Sequence, residues 1–552
     1  MILALGRIHL VIAAFVLVTG TMGARIIYRH VVDKDFLQDQ GDARTIRMER
    51  IHAHRGMIRD RRGKPLAIST PVVSLWANPK ELVAQSEKLE LLAELLEVDS
   101  GKLEEKLKGS SSRNFVYLRR RMPPPEAQKV LDLKIKGVYE EREYQRFYPA
   151  GEVVSHVVGF TNLFDQGLEG VELSYDGWLQ GMPGKKKVLK NLYGEIVRDI
   201  KPVKEAVAGK NLYLNIDLRL QYLAYRELKQ AISYYRAESG SVVILDVRNG
   251  SILSLVNQPS YNPNNRVGLE LSSVRNRSVT DVFEPGSTMK PFTVAVALAS
   301  GKYQAESLID TNPGFIRVGS KTIPDPVNLG VLDLGGVIAK SSQVGITKLA
   351  LSLDAYEVWS MFSELGFGRG AGIGFPGESS GFLPNHRRWK DIERANFAFG
   401  YGLMVTPLQL AAAYQVIASD GLKLPVSLVP TGAGTSHRVF SKDVSRALRT
   451  MLARAVTEGT GKKAAIDSYT VAGKTGTVRK VGKDGYQDTR HLAFFAGITP
   501  VEIPRLVGVV MINDPKGEEY GGGAIAAPLF SRIMTEALRL LNVPPDDLEK
   551  AA

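Results

Sequence analysis

The chain has 552 residues, of which 44% are hydrophobic and 23% are charged, and it contains no cysteine. This composition is that of an ordinary globular protein, and it excludes collagen-like, low-complexity and wholly disordered proteins. The absence of cysteine excludes a disulfide framework, a thiolate zinc site and a cysteine nucleophile. The formal net charge of +13 favours anionic neighbours such as lipid headgroups, nucleic acid or carboxylate-rich substrates, without choosing among them.

The first predicted element is a membrane-spanning helix within residues 1–30. No formally charged residue occurs from Ile8 to Ala24, and Arg7 and Arg25 flank this stretch. At about 1.5 Å per residue, the stretch reaches about 25 Å, the lower end of the range for a spanning helix. A cleaved signal peptide is the alternative, although the residues before Arg25 form a poor small-x-small cleavage site. The positive-inside rule leaves the orientation undecided, because basic residues lie on both sides of the stretch.

Residues 31–220 are predicted to form an α+β domain without obvious chemistry. Turn residues separate two short apolar runs within Arg55–Ala67, and this pattern predicts a β-hairpin. Leucines at helical spacing predict one or two amphipathic helices over residues 79–108. Two basic clusters, Arg119–Arg121 and Lys185–Lys187, are more typical of solvated faces than of a binding site.

A larger α/β domain is predicted over residues 221–545. The change in residue pattern that indicates it begins at Gly240. Two apolar runs flank the turn Arg248–Gly250 and predict a second hairpin. Helical patterns follow over residues 291–300, 335–365 and 405–420, and strand patterns over residues 469–478, 491–498 and 506–512. A terminal helix is predicted over residues 527–541. Because the strands lie at both ends of the region, we expect one antiparallel sheet packed against helices.

Ser287 and Lys290 form the first candidate catalytic pair. Pro291 follows them directly, and proline is tolerated only in the first turn of a helix, so a helix is predicted to start close to Ser287. Side chains three residues apart share one helix face, where a lysine of lowered pKa can take the proton of a serine nucleophile. The same pattern also fits a capping serine with a surface lysine, so the pair alone is a weak signal.

A second short motif contains Ser341 and Gln343, which place a hydroxyl and an amide two residues apart. If both face one cleft, the hydroxyl can pass protons and the amide can hold a peptide carbonyl. Taken alone, this motif is more typical of a turn or a helix cap.

A third motif is the strand segment that contains Lys474, Thr475, Gly476 and Thr477. The lysine and the threonine hydroxyls can bind a carboxylate. Gly476 is expected to leave room for a substrate backbone that pairs alongside as an added strand. This tripeptide is also common in unrelated proteins when it occurs alone.

Together and in this order, the three motifs are the signature of penicillin-binding proteins and serine β-lactamases. Further segments extend the similarity over nearly the whole chain, which resembles the class B penicillin-binding proteins. These segments are Arg55–Ala67, Arg146–Gly151, Gly167–Glu172, Leu214–Asp217, Tyr261–Asn265, Phe283–Ser287 and Tyr401–Leu410. The last three look most similar to the cell-division subtype of Gram-negative bacteria. The family resemblance implies a pedestal domain followed by a penicillin-binding transpeptidase domain.

The resemblance implies a peptidoglycan D,D-transpeptidase that works through a serine acyl-enzyme without a cofactor or metal. Ser287 would attack the carbonyl of the penultimate D-Ala of a stem peptide, with Lys290 as the base and Ser341 as the proton relay to the leaving amine. Backbone N–H groups of Ser287 and Thr477 would form the oxyanion hole. The implied substrate-binding residues are Gln343, Lys474, Thr475, Gly476 and Thr477. The amine of a second stem would resolve the acyl-enzyme into a cross-link, and β-lactams would trap the same serine.

The implied substrate lies outside the cytoplasmic membrane, and this fixes the expected orientation. We expect a single-pass inner-membrane protein with a cytoplasmic N-terminus, a periplasmic catalytic domain and a position at the septum. The implied partners are a polytopic glycosyltransferase and other division proteins. The positive charge is interpreted as proximity to the membrane and cell wall rather than nucleic-acid binding, because the sequence shows no helix-turn-helix or aromatic-basic platform.

One position departs from the family pattern, because the second motif normally ends in Asn and here ends in Gln343. The extra methylene moves the amide by about 1.5 Å, and a misplacement of that order can cost up to about 100-fold in rate. We therefore expect an active site with an altered substrate or β-lactam preference, and a paralogue of the main division enzyme stays open as an alternative. Three further alternatives remain open: a β-lactamase or β-lactam sensor, an elongation-type transpeptidase, and a non-catalytic division scaffold.

Overall fold

The computed structural model of the protein describes residues 2–190, 196–430, 434–482 and 485–547. Its helices are α1 (Ile2–Val31), α2 (Lys34–Thr45), α3 (Pro79–Leu82), α4 (Leu89–Leu95), α5 (Ser100–Gly109), α6 (Pro124–Leu131), α7 (Ser155–Val158), α8 (Gly170–Ser174), α9 (Asp176–Leu179), α10 (Leu218–Tyr234), α11 (Leu271–Val274), α12 (Arg277–Thr280), α13 (Lys290–Ala299), α14 (Leu334–Ala339), α15 (Gln343–Ser352), α16 (Ala355–Leu365), α17 (Asp391–Ala398), α18 (Pro407–Ala418), α19 (Lys442–Thr457) and α20 (Ala526–Leu540).

Its strands are β1 (Ile46–Ile51), β2 (Ile58–Arg59), β3 (Pro65–Ala77), β4 (Val116–Met122), β5 (Val138–Phe147), β6 (Gly184–Lys190), β7 (Ile196–Lys204), β8 (Leu212–Tyr213), β9 (Ser239–Asp246), β10 (Ile252–Gln258), β11 (Leu308–Asp310), β12 (Phe315–Val318), β13 (Lys321–Pro324), β14 (Val331–Asp333), β15 (Leu422–Lys423), β16 (His437–Arg438), β17 (Ala472–Gly482), β18 (Gly485–Thr499) and β19 (Leu506–Asn513).

The chain forms two compact units. The first comprises Met1–Arg55 with Gln180–Gly209, and the second comprises Gly56–Leu179 with Lys210–Ala552. These units do not coincide with the expected division at residue 220, and the domain boundaries stay a prediction.

The first unit contains α1 and an antiparallel sheet of order β1-β6-β7. The segment Gly6–Val31 of α1 is long and apolar enough to cross a membrane, and none of its most apolar stretch is buried by the other residues that the structure describes. An apolar helix with no protein surface against it is compatible with a single-pass membrane anchor. Met1, which belongs to the predicted anchor segment, lies outside the described residues.

The central sheet of the second unit has the order β10-β9-β19-β18-β17 and is antiparallel throughout. β9 and β10 form the predicted hairpin, and β19 pairs with β9, so the strands from both ends of the region meet in one sheet. β17 lies at an edge, where one side of its backbone is available to an added strand. The predicted fold class, an antiparallel sheet packed against helices, is confirmed.

Two hydrophobic layers cover the two faces of this sheet, because side chains alternate along each strand. Val242 and Ile244 belong to the layer that includes α10 and α20, whereas Val243 and Leu245 belong to the layer that includes α13 and α18. Each of these side chains is at most 1% exposed. Burial of one such side chain contributes about 1.5–3 kcal/mol, so the two layers fix the sheet that carries the edge strand β17.

Within the second unit, residues 56–179 are built around β3, which pairs with both β4 and β5. β2 and β3 form the predicted hairpin of Arg55–Ala67. The segment predicted to hold one or two helices contains three, α3, α4 and α5, and they bury leucines in a separate hydrophobic cluster.

The family-like segments of this region are joined by polar contacts, one buried and one partly buried. Arg146 Nε donates to Glu172 Oε1 at 2.6 Å, and both side chains are at most 2% exposed. Asn264 accepts from the backbone N–H of Tyr148 at 3.0 Å and donates to its carbonyl at 2.9 Å. The segments Arg146–Gly151 and Tyr261–Asn265, far apart in sequence, are therefore in direct contact.

Candidate active site

Ser287 lies on a single 3-10 turn, Gly286–Met289, that leads directly into α13. Pro291 is in the first turn of α13, as the sequence predicts. Gly286 has a φ of +51°, and a Cβ there would lie 2.7 Å from Val478 Cγ1 on β17. The backbone N–H of Gly286 also donates to Gly400 O at 3.0 Å. A glycine is therefore required beside Ser287, both for the backbone conformation and for the close approach of the edge strand.

The three predicted catalytic side chains form one chain of hydrogen bonds. Lys290 Nζ donates to Ser341 Oγ at 3.0 Å and to Ser341 O at 2.5 Å. Ser341 Oγ in turn donates to Ser287 Oγ at 3.1 Å. The sequence predicts that Ser287 and Lys290 meet directly on one helix face. In the structure the hydroxyl of Ser341 lies between them and connects the two.

Burial changes the acid–base behaviour of the two lysines of the site. Lys290 is 0% exposed and Lys474 is 1% exposed. Desolvation by burial, and then the positive charge of Lys474, hold the pKa of Lys290 well below its usual value. Burial lowers the pKa of Lys474 to about 7. A neutral Lys290 amine is the form that can accept a proton from a serine hydroxyl.

Ser341 lies in the short turn between α14 and α15, with a φ of +62°. For a residue other than glycine, this left-handed conformation costs about 1–2 kcal/mol. A backbone stays in such a costly conformation only where surrounding contacts hold it there. Gln343 begins α15, and its side-chain amide forms no hydrogen bond with another described residue. The amide is therefore free to contact a ligand.

The third motif lies on the edge strand β17, next to the hydrogen-bonded side chains of Lys290, Ser341 and Ser287. Thr475 Oγ1 and Thr460 Oγ1 are 2.7 Å apart, and Lys474 Nζ donates weakly to Thr460 Oγ1 at 3.4 Å. Thr477 Oγ1 accepts from the backbone N–H of Gly522 at 2.9 Å, which leaves its own proton to donate. Hydroxyl and ammonium donors thus line this edge, and such donors suit a carboxylate.

Known proteins match both parts of the chain. The penicillin binding protein transpeptidase domain family matches residues 240–535, and the penicillin-binding protein dimerisation domain family matches residues 50–214. The peptidoglycan D,D-transpeptidase FtsI of Escherichia coli (strain K12) is 42% identical over 549 residues, 98% of this chain and 93% of that protein. The chain belongs to the class B penicillin-binding proteins.

Other members of this family are similar over the whole chain or over its transpeptidase part. The probable peptidoglycan D,D-transpeptidase PbpC of Pseudomonas aeruginosa is 41% identical over 98% of this chain and 96% of that protein. Penicillin binding protein 3 from Mycobacterium tuberculosis, complexed with aztreonam, superposes with a TM-score of 0.71 at 26% identity, over 90% of this chain and 98% of that one. The transpeptidase domain of Burkholderia pseudomallei penicillin-binding protein 3 covers 60% of this chain and 97% of its own, with a TM-score of 0.56 at 40% identity.

A contact between Glu284 and Tyr486, which the sequence did not predict, supports the turn that carries Ser287. Glu284 is buried, and its carboxylate accepts from the backbone N–H of Gly402 at 2.7 Å and from Tyr486 OH at 2.9 Å. Tyr486 lies on β18 beside the tip of the β17–β18 hairpin, so this contact ties the strand pair that carries Lys474 to the turn that carries Ser287. No short motif signals the contact, because the two residues are far apart in sequence.

The structure corrects the reason given for Gly476. From the sequence, its missing side chain is expected to leave room for a substrate strand. In the structure a Cβ on Gly476 would lie 1.9 Å from Cε2 of Phe494 on the neighbouring strand. The glycine is therefore required by internal packing, and a contact of this residue with substrate could involve only its backbone.

Replacing Gly476 with alanine is expected to destabilise the protein. The added methyl must displace the buried ring of Phe494, and overpacking of this kind costs about 1–3 kcal/mol. Denaturant unfolding followed by tryptophan fluorescence measures the loss. Gly109→Ala is the matched control, because a Cβ there meets nothing within 4 Å, and its unfolding free energy should not fall. An unfolding free energy of Gly476→Ala equal to that of wild type would contradict the packing argument.

Proposed function

We propose that this chain is a peptidoglycan D,D-transpeptidase of cell division that works through an acyl-enzyme on Ser287. The observation that carries the proposal is the hydrogen-bonded chain Lys290–Ser341–Ser287, placed beside the Lys474 edge of a penicillin-binding transpeptidase domain. The similarity to relatives named FtsI supports the division role over the elongation role.

In the first half of the reaction, Ser287 Oγ attacks the carbonyl of the penultimate D-Ala and its proton passes to the neutral amine of Lys290. The hydroxyl of Ser341 lies on that path and can carry the proton in either direction. The tetrahedral intermediate then collapses, the C–N bond breaks, and the terminal D-Ala leaves with a proton returned through Ser341.

In the second half, the amine of another stem peptide attacks the ester of Ser287. The amine gives up a proton to the same Lys290–Ser341 pair, the C–O bond breaks, and Ser287 regains its hydroxyl proton. Backbone N–H groups of Ser287 and Thr477 are proposed to stabilise the negative oxygen of both intermediates. A β-lactam would acylate Ser287 in the same way, but its leaving group stays attached and the ester persists.

The substrate-binding roles rest on the donors that line the edge of β17. We assign the terminal carboxylate of the donor stem to Lys474, Thr475 and Thr477. The donor backbone would pair beside Gly476. Gln343 is assigned to a substrate amide, because its own amide has no partner among the described residues.

The pKa of Lys474 predicts an alkaline limit to acylation by carboxylate-bearing β-lactams. Binding of the carboxylate needs the ammonium form, and burial lowers the pKa of Lys474 to about 7. As the pH rises through this value the free enzyme loses that charge, so the second-order acylation rate should fall about tenfold per unit above it. Stopped-flow acylation by benzylpenicillin across pH 5–10 measures the limb. Benzylpenicillin methyl ester lacks the carboxylate and should not show it, and identical limbs for both ligands would contradict the assignment.

The anchor helix α1 is proposed to hold the protein in the inner membrane with its N-terminus in the cytoplasm and the catalytic domain in the periplasm. A septal position, a polytopic glycosyltransferase and other division proteins as partners complete the proposal. Fluorescence of a fusion at the septum, and filaments rather than round cells upon depletion, are the expected results. Round cells would favour the elongation-type alternative.

Intact-mass spectrometry after exposure to benzylpenicillin tests the enzymatic part of the proposal. We expect one persistent penicilloyl adduct, located by peptide mapping on the peptide that contains Ser287. An adduct that forms and disappears while penicilloate accumulates would indicate a β-lactamase. No adduct at all would indicate a non-catalytic scaffold. Only the persistent adduct supports a transpeptidase.

A further inference from the structure

A cleft outside the candidate active site lies between the turn of the β2–β3 hairpin, the segment after β5, and the helices α10 and α20. Its volume of about 850 Å³ lies within the range of about 300–1,000 Å³ that is usual for sites of small ligands. α10 and α20 cover the face of the central sheet opposite to the layer of α13, so the cleft and the turn of Ser287 lie on different sides of that sheet. The apolar residues of its walls are Pro149, Ala150, Val153, Leu218, Leu223 and Leu540.

The charges that this cleft offers to a ligand are positive. Arg62 and Lys64, in the turn of the β2–β3 hairpin, line the cleft with exposed side chains, and neither side chain forms an ion pair or a hydrogen bond with another residue that the structure describes. Arg219 and Arg226 on α10 also line it, each paired with an acidic neighbour, at 2.7 Å and 2.9 Å. Unpaired cations at one end of an apolar cleft favour an anionic ligand.

The acidic residues of the cleft are already occupied. Asp60 is 1% exposed, and its Oδ1 accepts from the backbone N–H groups of Arg62 at 2.9 Å and Lys64 at 2.7 Å. Its Oδ2 accepts from the backbone N–H of the first residue of α10 at 3.2 Å. Glu536 on α20 pairs with Arg539 at 3.0 Å. Because Asp60 fixes the turn against α10, the two cations project from a held backbone, and binding costs little backbone ordering.

The cleft continues along the exposed face of α10. A second cavity, of about 640 Å³, shares Tyr222 and Arg226 with the first one and reaches Tyr234 at the end of the helix. Tyr222 is 54% exposed and Tyr234 is 78% exposed, and tyrosine and arginine are enriched in binding surfaces. Over these residues the helix rises about 18 Å. A groove of this length suits a ligand that is part of a longer chain.

We propose that the cleft is a second peptidoglycan-binding site, which takes the stem peptide of a neighbouring strand with its carboxylates on Arg62 and Lys64. Stem peptides carry more carboxylates than amines, and their methyl and methylene groups suit the apolar walls. The inference rests on the proposed function, which places the catalytic domain beside peptidoglycan. A strand bound here stays close to the enzyme while the donor stem of another strand reacts at Ser287.

An acidic segment of a partner protein is the competing occupant. A stable protein interface buries about 800 Å² on each partner and distributes its contacts over about 20–30 residues a side. The two cations of the cleft that are unpaired among the described residues lie instead in one hairpin turn. Such a narrow cationic end suits the closely spaced carboxylates of a short peptide.

Isothermal titration calorimetry with the tripeptide N-acetyl-L-Ala-γ-D-Glu-meso-diaminopimelate tests the site, using the full chain in detergent after acylation by benzylpenicillin. The penicilloyl group blocks the active site, so the heat reports on the second site alone. Arg62→Gln and Lys64→Gln are each expected to weaken binding about 3–5-fold, and the double variant about tenfold, because exposed ion pairs contribute that much. Each variant should still form the Ser287 adduct at the wild-type rate.

Arg61→Gln is the matched control. It removes the same charge from an exposed position in the same turn, but Arg61 does not line the cleft, so binding should equal that of wild type. Tyr222→Ala should weaken binding about fivefold. Tyr356→Ala, 57% exposed on α16, should not weaken it. Equal weakening by Arg61→Gln, or unchanged binding in the Arg62→Gln, Lys64→Gln double variant, would overturn the inference.

Two other probes identify the wrong ligand class. Glutarate carries carboxylates without a peptide, and an affinity equal to that of the tripeptide would show a general anion site. Tighter binding of hexa-L-glutamate, lost in Arg62→Gln, would show a site for an acidic protein segment. Either result overturns the inference, as does the absence of tripeptide binding. A protein that forms the Ser287 adduct without binding the tripeptide keeps the proposed function, whereas tripeptide binding by a protein that forms no adduct refutes that function and leaves the second site.

Discussion

Ser287→Ala is expected to form no penicilloyl adduct at any concentration of benzylpenicillin. The substitution removes the oxygen that would carry the acyl group, and the neighbouring hydroxyl of Ser341 lies behind it, bound to the buried amine of Lys290. The expected loss is complete rather than partial, because no water or side chain can substitute for a covalent nucleophile. Intact-mass spectrometry detects the adduct directly.

The fold should survive this change. Ser287 accepts one hydrogen bond from Ser341, and the loss of a single partly exposed hydroxyl costs about 1 kcal/mol. Ser300→Ala, at the C-terminal end of the same helix α13, is the matched control and should be acylated like wild type. A Ser287→Ala protein that still carries the adduct would move the nucleophile to another residue and refute the proposed mechanism.

Lys290→Met is expected to lower the second-order rate constant of acylation about 10²–10⁴-fold, the range that a positioned general base contributes. Methionine has nearly the same length as lysine and fills the same buried space, but it cannot accept the proton of Ser287. The pH profile of the residual rate should lack the acidic limb that the titration of Lys290 imposes on wild type, because that group is no longer present. Stopped-flow acylation measured as a function of pH shows both effects.

Stability separates a catalytic role of Lys290 from a structural one. The amine is fully buried, and the low pKa shows that its charged form is disfavoured there, so its replacement by an apolar side chain of similar volume should change the unfolding free energy by no more than about 2 kcal/mol. Lys302→Met, at an exposed position after α13, is the control and should retain the wild-type rate within about twofold. Acylation of Lys290→Met within tenfold of wild type would contradict its role as the base.

Much of the fold could be predicted from the sequence, because its helices and strands follow local patterns of apolar and turn residues. The alternating apolar runs around Arg248–Gly250 predict the hairpin that β9 and β10 form. Pro291 predicts the start of α13. Boundaries were less accurate, since β17 and β18 extend well beyond their apolar cores into an exposed hairpin. Those extensions carry polar residues, and polar residues do not signal a strand by periodicity.

The identities of the candidate catalytic residues also followed from the sequence alone, whereas their arrangement did not. The spacing predicts that Lys290 contacts Ser287 directly. In the structure the hydroxyl of Ser341, from the turn between α14 and α15, lies between them. The reason for Gly476 was wrong, because Phe494 is its neighbour only across the β17–β18 pair. The Glu284–Tyr486 contact gave no signal, because Tyr486 belongs to no motif and lies far from the segment Phe283–Ser287 in sequence.

The sequence by itself determined what chemistry this protein carries: a serine, a lysine and a strand of carboxylate-binding donors, in an order that belongs to one family, after one apolar helix. Residue types and short spacings are enough for that, because they are set within a few residues along the chain. Only the tertiary structure decided how the groups work together. The lowered pKa values of Lys290 and Lys474 come from burial by elements distant in sequence, and the backbone N–H of Gln343, beside the left-handed turn at Ser341, donates to Asp325, which lies directly after β13. Such effects depend on distance in space, which no local pattern records.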